Sequence, residues 1–154
     1  MKSEIKACIK YFVRVINHKI KVAKGCFNQG LYFQGIVHDL SKSLPDEYIP
    51  YAYKFKWPVE KTDKEKELIE RNFRVARDKH FSRNLHHWKY WVIDEYQNLA
   101  FEMPGKYIKE MICDWESVGE VKGDSAKEFY ERDKNKMVLH PNTRKVLEEI
   151  LSKK

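Results

Sequence analysis

Apolar residues recur along the chain at spacings of three and four, and turn signals cut these runs into helical segments. The first runs from about Ser3 to Gly25, where Ile5, Ile9, Phe12, Ile16, Ile20 and Ala23 align as a stripe expected to face the core. After the turn Asn28-Gln29-Gly30 comes a shorter segment, Leu31 to Leu40. It is apolar enough to be expected buried, and it carries His38 and Asp39 near its end. Ser43 ahead of Pro45, Asp46 and Glu47 marks another helix start, and Pro50 is expected to leave that segment short or kinked. Lys56 to Thr62 has the character of a surface loop.

Thr62 or Asp63 caps the next helix, which reaches about His80; Ile69, Phe73, Ala76 and His80 share one face, so His80 is directed toward the core. Ser82 to Trp91 breaks the periodicity and is rich in His, Asn and aromatic residues, as suits a connection that lines a site. Pro104 opens a helix whose apolar residues include Ile108, Met111, Ile112, Trp115 and Val118. Asp114 falls among them, and a carboxylate there needs a partner. Ser125 and Glu128 form a capping box ahead of Phe129 and Met137, and Asn142 or Thr143 begins a terminal helix through Val146, Leu147, Ile150 and Leu151. No convincing strand appears, so the expected fold class is all-α.

A chain of 154 residues supports one hydrophobic core, and a single domain is expected over residues 1–154. Its 42% hydrophobic and 34% charged content suits a compact globule better than disorder. No apolar run approaches the roughly 20 residues that cross a bilayer. Lys2, Glu4, Lys6, Lys10 and Arg14 punctuate the N-terminal segment, unlike a signal peptide, so a cytoplasmic protein without a membrane partner is expected. Cys8, Cys26 and Cys113 are widely spaced and outside any CxxC pair, which points to core thiols rather than disulfides or a thiolate zinc site. The net charge of +7, from 30 basic and 23 acidic residues scattered along the chain, favours anionic substrates, with nucleic acid the less favoured partner.

The candidate chemistry lies in the histidines. Five of the six occur with two aspartates in the order His18, His38-Asp39, His80, His86-His87, Asp114, while His140 stands apart. His18 borders the apolar face of the first helix, three residues after Val15 and four before Val22. Imidazole and carboxylate without thiolate suit a divalent transition ion (Mn, Fe, Ni, Zn or Co) at a site doing chemistry. His86 and His87 would diverge by about 100° on a helix, so both can ligate only where the backbone turns.

The order His, His-Asp, Asp on separate helices resembles the HD-domain metal-dependent phosphohydrolases, which implies a compact HD-domain-like helical bundle with His18, His38, Asp39 and Asp114 as metal ligands. The segment His38-Asp39-Leu40-Ser41-Lys42, followed by His80 and then His86-His87, is similar in ligand order to the binuclear HD-GYP branch. That likeness implies a second ion held by His80, His86 and His87, about 3.5 to 4 Å away, with Asp39 bridging. Trp88-Lys89-Tyr90 stands where that branch has Gly-Tyr-Pro, so its cyclic-dinucleotide substrate is not carried over. The His-Asp-Leu-Ser-Lys signature, His-His-Trp and Asp-Trp also resemble a bacterial and phage family that supplies no activity.

The resemblance implies hydrolysis of a phosphomonoester or phosphodiester, in a nucleotide or other small phosphate compound, through a metal-activated water. Asp39 and Lys42 are the catalytic candidates, with Lys42 one turn beyond His38 as a point charge for a phosphate oxygen; Arg77, Arg83 and Asn84 are further phosphate contacts. The alternatives are an HD-type di-iron oxygenase and a non-catalytic basic binding protein with a vestigial metal site.

Overall fold

The computed structural model describes residues 2–56 and 61–153. Among these lie seven α-helices: α1 (Lys2–Phe27), α2 (Tyr32–Val37), α3 (Pro45–Lys56), α4 (Asp63–Arg83), α5 (Gly105–Lys122), α6 (Ala126–Asp133) and α7 (Pro141–Leu151). Short 3-10 turns at Leu40–Ser43, Trp88–Trp91 and Lys134–Lys136 link them. The all-α expectation holds. One small antiparallel hairpin, β1 (Val92–Asp94) with β2 (Leu99–Ala100), was not anticipated; Asp94 Oδ1 accepts from the Tyr96 and Gln97 amides at its turn. No helix among the described residues is long and apolar enough to cross a membrane.

Local signals set most boundaries. Thr62 and Glu65 form a capping box at the start of α4, and Ser125 with Glu128 does the same for α6. α7 begins earlier than expected: His140 is its cap, its Nδ1 accepting from the Asn142 amide, with Pro141 at the first helical position, where a missing N–H costs nothing. Pro50 does not shorten α3, which continues through Lys56. Of the loop expected over Lys56–Thr62, positions 57–60 lie outside the described residues.

Among the described residues three apolar clusters build the core. Ile108, Met111, Ile112, Tyr130 and Leu147 join α5, α6 and α7, while Tyr11, Val15, Tyr51, Ala52 and Ala76 join α1, α3 and α4. Val22, Cys26 and Cys113 tie α1 to α5; the cysteines form no disulfide among the described residues, and Cys26 and Cys113 are buried while Cys8 is half-buried.

Two burial expectations are corrected. The stripe Ile5, Ile9, Phe12, Ile16 and Ile20 is exposed, and α1 instead buries Ala7, Tyr11, Val15, Val22 and Cys26. This second set also recurs every three or four residues, roughly 130° further round the helix, so periodicity alone did not rank the two faces. In the segment Leu31 to Leu40, Tyr32, Phe33, Ile36 and Leu40 are exposed, whereas Gln34, Gly35, His38 and Asp39 are buried. Gly35 seats α2 on α1: a Cβ there would lie 2.7 Å from the Phe27 ring and 3.1 Å from Ala23 Cα. The inward side of this short segment is therefore polar, and it faces the histidines.

Candidate metal centre

His18 projects from the buried face of α1, between Val15 and Val22. His38 caps the C-terminus of α2, and Asp39 follows with φ 55°, in the left-handed region that an aspartate tolerates better than most residues. This reversal ends α2 and starts the Leu40–Ser43 turn. His80 lies in the last turn of α4; His86 and His87 follow its end at Arg83, on non-helical backbone. Released from helical geometry, both adjacent rings face the same centre. The Trp91 indole donates to Leu85 O at 2.8 Å and holds this connection in place. Asp114 comes from α5.

The side chains form two groups that share Asp39. His18 Nε2 lies 3.3 Å and His38 Nε2 3.4 Å from Asp39 Oδ2, while Asp114 Oδ1 lies 3.1 Å from His18 Nε2 and 3.9 Å from His38 Nε2. Around Asp39 Oδ1 stand His80 Nε2 at 3.2 Å and His86 Nε2 at 3.4 Å, with His87 Nε2 at 2.8 Å from His80 Nε2. Each group, His18/His38/Asp114 and Asp39/His80/His86/His87, places its ligand atoms within 4.8 Å of one another.

Residues that the sequence reading did not single out orient these rings. Glu110 Oε1 accepts from Nδ1 of both His38, at 2.9 Å, and His86, at 3.2 Å. Glu47 Oε2 accepts from His80 Nδ1 at 3.0 Å, and His18 Nδ1 is 3.0 Å from Ser117 Oγ. Assigning the Nδ1 protons to these carboxylates leaves the Nε2 lone pairs of His38, His80 and His86 pointed at the Asp39 and Asp114 oxygens. Lone pair then faces lone pair. Asp39 Oδ1 and His86 Nε2 are buried with no hydrogen-bond partner among the described residues, a geometry that a divalent cation would resolve.

The electrostatics have the same character. Burial alone would raise the Asp39 carboxyl, but the surrounding His38, Lys42, His18 and His80 hold it well below the usual range. Asp114, likewise opposed by burial, is held low by His18 and His38. Burial and the neighbouring His86 and His80 keep His87 well below an ordinary histidine, and burial also lowers His38, so both favour the neutral form a ligand requires. His86 moves the other way: burial would lower it, but the Asp39 and Glu110 carboxylates beside it outweigh burial and lift it to about 9.

Of the phosphate-contact candidates, Lys42 is the one paired with the shared Asp39 carboxylate. Its ammonium pairs with Asp39 Oδ2, and its side chain is 17% exposed, at the boundary between centre and solvent. Arg77 reaches outward over the Phe81 ring and toward Asp78. Arg83, instead of facing a substrate, forks onto Asp46 (3.0 and 2.8 Å) and onto Glu47 (2.8 Å), which in turn holds His80. Asn84 spends its amide on Ser41 Oγ and His80 O, both at 2.7 Å. These two brace the centre because charge and amide are already paired inside.

Fold and site together define an all-helical domain around a buried histidine–carboxylate cluster suited to a metal. Over residues 8–153 the chain matches the family described as "Family of unknown function (DUF5662)", and it belongs to that family. No curated protein and no solved structure matches it.

Proposed function

We propose that this chain is an HD-type metal-dependent phosphohydrolase acting on a nucleotide or another small phosphate ester. The observation that carries this reading is Asp39, whose two carboxylate oxygens each face a separate histidine group. His18, His38 and Asp114 would hold one ion and His80, His86 and His87 a second, with Asp39 common to both. Nitrogen and oxygen donors without thiolate suit Mn, Fe, Co, Ni or Zn. Divalent ions there supply Lewis acidity toward a phosphoryl oxygen and acidify a water toward neutrality.

The chain's own residues do the rest. Glu110 and Glu47 keep the imidazole protons on Nδ1, so Nε2 stays open toward the centre. Lys42 provides a fixed positive charge beside Asp39 for a phosphoryl oxygen.

Metal analysis of the purified protein, followed by a panel of phosphate esters and nucleotides with Mn²⁺, Mg²⁺, Fe²⁺, Ni²⁺ and Co²⁺, tests the reading. The expected result is tight uptake of two ions per chain and metal-dependent phosphate release. Protein that takes up no metal, or that loads fully yet cleaves no phosphate ester, defeats it. Oxygen-dependent turnover by a yellow, iron-loaded form would assign oxygenase chemistry instead.

A further inference from the structure

Among the described residues nothing covers the outward stripe of α1. Ile5, Ile9, Phe12, Ile16 and Ile20 are between 39% and 58% exposed, and they run along about 22 Å of helix at 1.5 Å per residue. The surface continues through Phe27, whose ring lies 5.5 Å from that of Tyr32, onto α2, where Tyr32, Phe33 and Ile36 are each more than 60% exposed. A large apolar residue presents roughly 150–250 Å² when free. These residues together therefore expose on the order of 1,000 Å², beyond the few hundred usual for a monomer.

Charge identifies the occupant. Between Ile5 and Phe27 the chain carries Lys6, Lys10, Arg14, Lys19, Lys21 and Lys24 and no Asp or Glu. Lys19 is held by His38 O, Lys21 by Glu120, and Arg14 lies over Phe55. Lys6, Lys10 and Lys24 are exposed, have no partner among the described residues, and fall on one flank of the stripe. A second copy packed on this face would set lysine against lysine, with no carboxylate between Ile5 and Phe27 of either helix to answer them. An anionic surface answers them, and a helix with one apolar face and basic flanks lies in a lipid interface with that face buried about 5–10 Å.

We propose that the outer face of α1, extended by α2, docks this protein on a bilayer containing anionic lipid. The expectation of no membrane partner rested on the lack of a bilayer-spanning run and of a signal peptide, and neither bears on a helix that lies in the interface.

Co-sedimentation of the full chain with vesicles of phosphatidylglycerol and phosphatidylcholine in equal parts, against phosphatidylcholine alone, tests the proposal. At least about tenfold tighter binding to the anionic vesicles is expected, weakening with salt. Phe12→Glu with Ile16→Glu should lower that binding about tenfold while leaving the circular-dichroism spectrum unchanged, since both positions are exposed. Lys6→Glu with Lys10→Glu should weaken it without touching the apolar stripe. Absence of binding to anionic vesicles, or binding insensitive to both pairs of substitutions, overturns the proposal. A concentration-dependent dimer dispersed by Ile9→Glu, without vesicle binding, assigns the face to a second copy and overturns it as well.

Discussion

Glu110 Oε1 lies 2.9 Å from His38 Nδ1, both side chains being buried. The same oxygen is 3.2 Å from His86 Nδ1, so one carboxylate on α5 orients a ring from each half of the centre. That sharing makes Glu110 the most informative position outside the ligand set.

Glu110→Gln retains the shape but weakens acceptance of two N–H groups, and its metal affinity should fall about 10- to 100-fold with the helical content unchanged. Titration calorimetry against the wild type measures this. An unchanged dissociation constant would leave Glu110 no role in orienting ligands.

Asp39→Ala should abolish both metal retention and hydrolysis, because its two oxygens serve both histidine groups. Lys42→Ala should keep the metal while lowering kcat/KM for a phosphate ester, on the order of 10- to 1,000-fold as for other lost charge stabilisers. Paired metal analysis and steady-state kinetics separate the two. Wild-type turnover by Lys42→Ala would remove that residue from the mechanism.

Chelation should soften the fold. An ion present at about 100 times its dissociation constant stabilises by roughly 2.7 kcal/mol, which in a domain of this size corresponds to about 5–10 °C in Tm. Calorimetry with and without chelator should show that interval, restored by adding back the metal; identical traces would contradict a metal held only by the folded chain.

Arg83→Ala tests whether this arginine braces the centre or touches substrate. It leaves Asp46 with Lys79 and the buried Glu47 with His80 and Ser41. The guanidinium side is 36% exposed, so a loss of stability smaller than that from breaking a fully buried pair is expected. Denaturant melts read the stability and kinetics read KM, which should stay within about twofold. A KM rise of tenfold or more at undiminished stability would restore the substrate role.

Tyr130 makes stability sensitive to alkali. Burial, and a hydrogen bond to Glu148 at 2.6 Å, push its phenol from 10.0 up to about 12. In the unfolded chain the proton leaves first, so its contribution is complete below pH 10 and is lost as the pH rises toward 12. Denaturant midpoints across that window should fall more steeply for the wild type than for Tyr130→Phe; equal slopes would refute the assignment.

Much of this protein is legible residue by residue. Capping boxes at Thr62 and Ser125 act over three residues, so the starts of α4 and α6 follow from local sequence. The break in periodicity after His80 correctly marked the connection on which two adjacent histidines turn inward. Glu110 left a signal as well: it stands four residues before Asp114, on the same face of α5.

What only the tertiary structure decided is which surfaces meet. α1 has two apolar faces of equal period, and the one that packs is the face on which Tyr11, Val15 and Val22 complement α3 and α5 around His18. Arg83 read as a phosphate contact, and Glu110 as any charged helix residue, until Asp46, Glu47, His38 and His86 arrived beside them from elsewhere in the chain. The physical reason is range: caps and turns are satisfied within a few bonds, whereas the pairing of a buried charge depends on atoms that sequence separation conceals.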